Sequence, residues 1–325
     1  MKIILKRQLI VCLFLSIKLS AYSWGFFAHQ KLNHCAVFLL PPQMLVFYKP
    51  NILFITEHAV DPDKRRYGVA EEAPRHYIDI DYYGKYPFDA LPRKWDSAVK
   101  KFSEDTLKAH GIVPWYVQTM LFRLTTAFRE KNFVKILKYS AEIGHYIGDA
   151  HVPLHTSSNH NGQLTGQKGI HAFWESRIPE LLADDQFDFF IGKASYINNP
   201  GDFIWKRILE SAKAADSVLA FEKELSNKFP ADKKYAFEER NGIITRQYSA
   251  AYTIAYNKKL NGMVERRMRQ AIYCIASFWY TAWVNAGQPD LHSLSSKQFS
   301  ENDLKEFELL NNQWKTGKMI GREEN

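Results

Sequence analysis

GHYIGDAHVPLHTSSNHNGQLTGQKGIHAFWES, residues 144–176, decides how the rest of this 325-residue chain is read. It holds two pairs at helical i,i+4 spacing, His145 with Asp149 and His171 with Glu175. Positions four apart share one helix face, so each pair aims an imidazole and a carboxylate at one point. Pro153 stops the first helix, His155 follows it, and a polar loop from Thr156 to Gly169 leads into the second. Neutral imidazole and carboxylate are ligands that zinc accepts, and ligands closely spaced on rigid elements suit a metal site. One such pair also decorates ordinary solvated helices. Two pairs with a histidine between them point to a metal.

Outward from this stretch, helical periodicity dominates, with no internal repeat and no convincing strand run. The pattern predicts a helix over 26–40 ended by Pro41-Pro42, and a broken helix over 43–60 ended by Asp61-Pro62-Asp63. Residues 63–90, rich in Pro, Tyr and Asp, read as a loop carrying His76-Tyr77-Ile78-Asp79-Ile80-Asp81. Helices follow over 93–109, 114–130, 133–151, 171–184, 202–226, 243–259 and 262–286, with a charged stretch of variable texture over 226–240. The expected fold is all-α: a single multi-helix domain over 24–292, with a polar C-terminal tail over 293–325 forming a loosely attached helix.

The first 23 residues read as a secretory signal. Lys2, Lys6 and Arg7 form a basic head, Leu9 to Ile17 an apolar run too short to span a membrane, and Ala21-Tyr22-Ser23 the cleavage positions. Export to a periplasm or beyond, without a transmembrane anchor, is the expectation. The formal charge of +8 overstates the basicity of the exported chain. Without the four basic residues of the leader, 39 basic and 35 acidic residues leave +4, which neither requires nor excludes nucleic acid or anionic membrane. Cys35 and Cys274 lie in apolar helical patterns, where a disulfide and two buried thiols are equally compatible with export.

Cleavage after Ser23 makes Trp24 the new N-terminus, and a free α-amine, with a pKa of about 7.7–8.0, can lose its proton and ligate a metal. His29 follows five residues later. Asp61 and His76 edge a loop whose backbone freedom lets ligands be aimed. His151 and His160 are the remaining histidines nearest this chemistry. Lys64-Arg65-Arg66 could meet phosphate or simply be solvated, and Asn159 and Asn161 could line a substrate cleft.

The ordered set Trp24, His29, Asp61, His76, His145-x-x-x-Asp149, His155, His171-x-x-x-Glu175 resembles the ligand series of the zinc-dependent phospholipase C and single-strand-specific zinc nuclease superfamily. The resemblance covers Trp24 to Glu175, roughly half the chain, and implies an all-helical fold with three zinc ions. It implies one zinc on Asp61, His76 and His145, and a second on the Trp24 amine and carbonyl, His29 and a bridging Asp149. A third, on His155, His171 and Glu175, keeps a position open. Asp61 and Glu175 are the candidate catalytic residues, Asp61 for orienting or deprotonating the water. The implied activity is hydrolysis of a phosphodiester by a metal-activated water, with no stable protein partner.

The two branches divide on detail. Glu175 as the last ligand and the His76–Asp81 string are similar to the phospholipases, whereas the step from Trp24 to His29 is similar to the nucleases. Phe27 stands where a phospholipase of this type has a choline-binding Glu; an aromatic there could stack on a base instead. The expectation is a phospholipase C-like enzyme on phospholipid headgroup esters, with Phe27, Asn159 and Asn161 as substrate contacts. The alternatives are a nuclease on single-stranded DNA or RNA and, from another class, a non-catalytic secreted zinc-binding protein.

Overall fold

The computed structural model describes residues 25–240, 242–294 and 296–322. The expected leader, its cleavage point and the terminal ligand Trp24 fall on residues 1–24, outside the described residues. No helix among the described residues is long and apolar enough to cross a membrane.

The first half comprises α1 (Phe26–Val37), α2 (Pro42–Tyr48), α3 (Ile52–Glu57), α4 (Asp61–Arg65), α5 (Trp95–Phe102), α6 (Glu104–Ala109), α7 (Val113–Arg129) and α8 (Phe133–Ala150). Asn132 caps α8 by accepting from the Lys135 amide at 3.0 Å. From Ser140 to Ala150 every residue of α8 is buried, which makes it the central helix, with α1, α7 and α13 packed around it. A helix enclosed on all sides tolerates no outward-facing side chain. Two glycines meet that constraint: a Cβ on Gly144 would come within 1.9 Å of Asn33 Oδ1, and one on Gly148 within 3.1 Å of the His29 ring. Asn33 is itself buried and donates to the carbonyls of Ile55 (3.2 Å) and Ala141 (3.0 Å), bonding α1 to α3 and α8.

The second half comprises α9 (Ile170–Ala172), a π turn (Phe173–Arg177), α10 (Ile178–Gln186), α11 (Pro200–Lys228), strands β1 (Tyr235–Arg240) and β2 (Ile243–Tyr248), α12 (Ala250–Lys259), α13 (Met263–Asn285) and α14 (Glu301–Thr316). The chain is predominantly helical, as expected, but the antiparallel hairpin corrects the reading of 243–259 as one helix. Tyr235 pairs with Tyr248 and Arg240 with Ile243, and the sequence between the strands reads Asn-Gly, the dipeptide preferred in two-residue hairpin turns. Tertiary contacts hold it: Tyr248 stacks on Phe173 at 3.8 Å, and Arg177 Nε donates to the Tyr248 carbonyl at 3.1 Å.

Three further boundaries differ from expectation. Asp61-Pro62-Asp63 opens α4 rather than ending the previous helix, since proline is well placed in a first helical turn. The expected 93–109 helix breaks at Ser103, whose hydroxyl caps α6 through the Thr106 amide. The tail is anchored rather than loose: α14 has a Ser300–Asp303 capping box and packs against α4. Cys35 and Cys274 are free thiols.

Candidate metal centre

Helix α8 presents His145 and Asp149 one turn apart, both fully buried. Around them, α1 contributes His29, whose ring stacks on His145 at 3.8 Å and whose Nε2 lies 3.4 Å from Asp149 Oδ1. The stretch from α4 onward contributes Asp63 and His76. His76 Nδ1 is 3.0 Å from both His145 Nε2 and Asp149 Oδ2, and Asp63 Oδ1 is 3.6 Å from each of the two histidine nitrogens. Asp149 spans the assembly, with Oδ2 toward His145 and His76 and Oδ1 toward His29 and, at 4.0 Å, His155.

A second cluster joins His155, His171 and Glu175, again fully buried. His155 Nε2 and His171 Nε2 are 3.1 Å apart, and both face Glu175 Oε2, at 3.3 and 3.0 Å. The π turn at Phe173–Arg177 aims Glu175. Its physical cause is Pro179, which has no N–H for the Glu175 carbonyl and whose ring crowds that carbonyl, so the turn widens.

The hydrogen bonds assign the tautomers. Nδ1 of His145 donates to the Ala59 carbonyl (2.9 Å), that of His155 to His76 (2.7 Å), and that of His171 to His160 (3.1 Å). In a neutral imidazole this leaves Nε2 as an acceptor. In the second cluster, with both imidazoles neutral, two ring lone pairs and a carboxylate oxygen would face one another, an arrangement that a cation fits. Backbone carbonyls fixing the far nitrogen are what metal-ligating histidines use to set their orientation. Tetrahedral zinc at about 2.0–2.1 Å from its ligands requires ligand atoms about 3.3 Å apart. The second cluster's separations of 3.0 to 3.3 Å fit this.

The charge balance of the first cluster is divided. Burial would lower His76, but Asp149, Glu72 and Asp63 outweigh it and hold its pKa up at about 10. Burial and the neighbouring His145 lower His29 to about 4. Asp149, despite a burial penalty that acts in the opposite direction, is held well below the carboxylate range by His145 and His155. At His76 and Asp149 the first cluster favours positive charge, whereas at His29 burial and His145 oppose it.

Of the expected ligands, His29, His76, His145, Asp149, His155, His171 and Glu175 all fall in the two clusters. Asp61 does not. Its Oδ2 lies 2.6 Å from His58 Nδ1 and its Oδ1 accepts from Lys64 Nζ at 3.0 Å, which outweighs burial and lowers its pKa. Asp63 stands beside His76 and His145 instead, because residues two apart on α4 point to different sides.

Glu72, which sequence reading missed, is fully buried. It accepts from Arg65 (3.1 Å), Arg75 (2.6 Å) and the Tyr146 hydroxyl, and it faces His76 Nε2 at 3.5 Å. Its i,i+4 spacing to His76 was the available signal. The candidate substrate contacts fare differently. Phe27 is half-buried on α1. Asn159 Oδ1 accepts from the Leu164 amide at 2.8 Å and stays within its loop. Asn161 Oδ1 accepts from the amides of Gly169 (2.8 Å) and His171 (3.4 Å), capping the turn that carries His171. The His160 carbonyl supports His171, whereas His151 packs with Arg267 and belongs to neither cluster. A cavity of about 640 Å³ among Trp95, Trp115 and Trp205 has no cluster residue in its wall, so ligand geometry rather than cavity size marks the centre. Compared with known protein families and with characterised proteins, the sequence matches none.

Proposed function

We propose that the chain is an exported zinc-dependent phosphodiester hydrolase of the phospholipase C kind. The observation that carries the reading is the convergence of His155 Nε2, His171 Nε2 and Glu175 Oε2, three atoms of metal-ligand type within 3.3 Å of one another. Both imidazoles are pre-oriented by their Nδ1–H donations to backbone carbonyls.

Zinc would be held by His155, His171 and Glu175, by Asp63, His76 and His145, and by His29 with Asp149. When bound, zinc lowers the pKa of a water from 15.7 to roughly 7 and neutralises phosphate oxygens. The protein's own part is positional. Asp149 stays ionised and joins His29 to His145 and His76 within the first cluster. Glu72 orients His76 by facing its Nε2. Asp63, rather than the paired Asp61, is the carboxylate placed to accept a proton at the first cluster. Three ligands on His155, His171 and Glu175 suit a catalytic site better than a closed structural one.

Glu175 and the His76–Asp81 string favour phospholipid, and Phe27, which has no carboxylate, argues against selective choline recognition. The test measures the mature protein, with and without a chelator, on mixed phospholipid vesicles and on single-stranded DNA and RNA. Chelator-sensitive release of phosphorylated headgroup, leaving diacylglycerol, is expected. Efficient cleavage of single strands with lipid untouched would establish the nuclease alternative. Zinc uptake without turnover on either would establish a binding protein.

A further inference from the structure

The five residues of α4 are too few to be stable as a helix on their own, yet α4 carries Asp63. Arg65 ties α4 to the core, donating to Glu142 (2.6 Å) and Tyr146 (3.1 Å) on α8 and to Glu72 (3.1 Å), and further supports come from the far end of the chain. Phe307 on α14 packs against His58 at 4.6 Å, and His58 in turn holds Asp61 at the start of α4. Trp314 on α14 lies 5.4 Å from Phe26 and 6.0 Å beneath Lys64 Nζ. Beyond α14, the Ile320 amide donates to the Arg66 carbonyl at 2.8 Å, and Arg66 Nη2 donates to the Arg322 carbonyl. The Arg322 guanidinium pairs with Asp79 and sits 3.9 Å from the Tyr77 ring. Tyr77 and Asp79 immediately follow His76.

Residues 301–322 therefore grip both stretches that feed the first cluster, one through α4 and Arg66 and the other through Tyr77 and Asp79. The His76 side has its own backbone ties, Ile78 amide to His155 carbonyl (2.9 Å) and Asp79 amide to His110 carbonyl (2.7 Å). The Asp63 side has the Arg65 bonds to α8 and Glu72, and the tail adds to them. The Arg322–Asp79 pair is well shielded, at 13 % and 11 % side-chain exposure, so it is less screened than a surface ion pair.

We propose that the tail segment 301–322 is a positioning clamp for the first cluster, with Arg322 the residue that locks the Asp63-bearing stretch to the His76-bearing one. The tail does not touch the second cluster itself, which meets the His76-bearing stretch through His155 Nδ1 donating to the His76 carbonyl at 2.7 Å. The proposal rests on the metal-centre reading given above, and its test separates the two.

Arg322→Ala, Arg322→Lys, Asp79→Ala and the Arg322→Ala/Asp79→Ala double variant would be made in the full mature protein. Zinc affinities would be measured by competition with a chromophoric chelator, alongside helical content. Arg322→Ala is expected to weaken one class of zinc about tenfold, the scale of a lost support behind a metal ligand, and to leave the tightest other class unchanged. Arg322→Lys should recover part of the loss, and the double variant should lose no more than either single one. Unchanged zinc affinities in Arg322→Ala, or uniform weakening of all classes with falling helical content, would overturn the clamp. A wild-type protein that takes up no zinc would overturn the metal centre itself, and the clamp with it.

Discussion

The two His-x-x-x-carboxylate pairs are alike on paper and are held in different ways. His145 and Asp149 sit on a regular helix enclosed by the core, where Asn33 and the glycines at 144 and 148 let α1 approach closely. His171 and Glu175 sit on three α-helical residues followed by a π turn, positioned by the Asn161 cap and by the break that Pro179 enforces. All four residues are fully buried, the first pair by neighbouring helices and the second by its loop and the π turn. Identical spacing can thus be supported by quite different local structure.

The largest expected effect separates the pairs by metal content. His145→Ala removes a ligand facing His76, Asp149 and Asp63, and should reduce zinc content and phosphodiesterase activity together. That loss should exceed the roughly 100-fold typical of a supporting residue. His171→Ala should empty only the second cluster, leaving a zinc count by elemental analysis above that of His145→Ala. Equal counts would mean the two regions load as one unit.

Gly144→Ala drives a methyl group into Asn33 and should destabilise the fold by about 1–3 kcal/mol, as overpacking does. Denaturant melts of the metal-free protein would register it; an unchanged midpoint would mean the core around α8 yields more easily than its burial indicates.

The pH dependence of the metal-free protein is another point of contrast. The raised His76 pKa contributes stability that is complete below the unfolded value near 6.5 and is lost as pH rises toward about 10. The lowered His29 pKa contributes stability that is present above 6.5 and is lost as pH falls toward about 4. Thermal melts of chelator-treated protein should therefore peak near pH 6.5. The high-pH arm should flatten in His76→Gln and persist in His171→Ala; persistence in both would remove His76 as its source.

The smallest effect is local. Asn161→Ala should cost about 1 kcal/mol, the value of a lost cap, and weaken zinc at the second cluster without moving the Gly144-sensitive melt. Coupled loss in both measurements would merge the two regions into one cooperative unit.

Much of this was legible in the residues. The helices carry 3.6-residue periodicity, and the two i,i+4 pairs stand together as their spacing implies, with His155 and with His29 and His76, the last two added by the family resemblance, lying beside them. Asp61 against Asp63 was not decidable from spacing, because both lie in one short string and only the direction of α4 chooses between them. The hairpin was masked by a charged, low-contrast stretch, although Asn241-Gly242 marked its turn. The anchoring of the tail left no pattern to read: it depends on scattered aromatic contacts and on single ion pairs such as Lys138 with Glu306 and Arg322 with Asp79. None of these produces a periodic signal.

Asp149 lends its two oxygens to different neighbours, one to His145 and His76 and the other to His29 and His155. A carboxylate is planar, so fixing one oxygen fixes the other. The first ion to arrive would immobilise this side chain and screen its charge, leaving less ordering for the next ion to impose and less attraction for it to feel. These influences oppose each other, and their balance determines the filling sequence. If ordering dominates, partly filled molecules will be scarce in a native mass spectrum at substoichiometric zinc, and empty and full species will coexist. If charge dominates, the ions will enter one at a time.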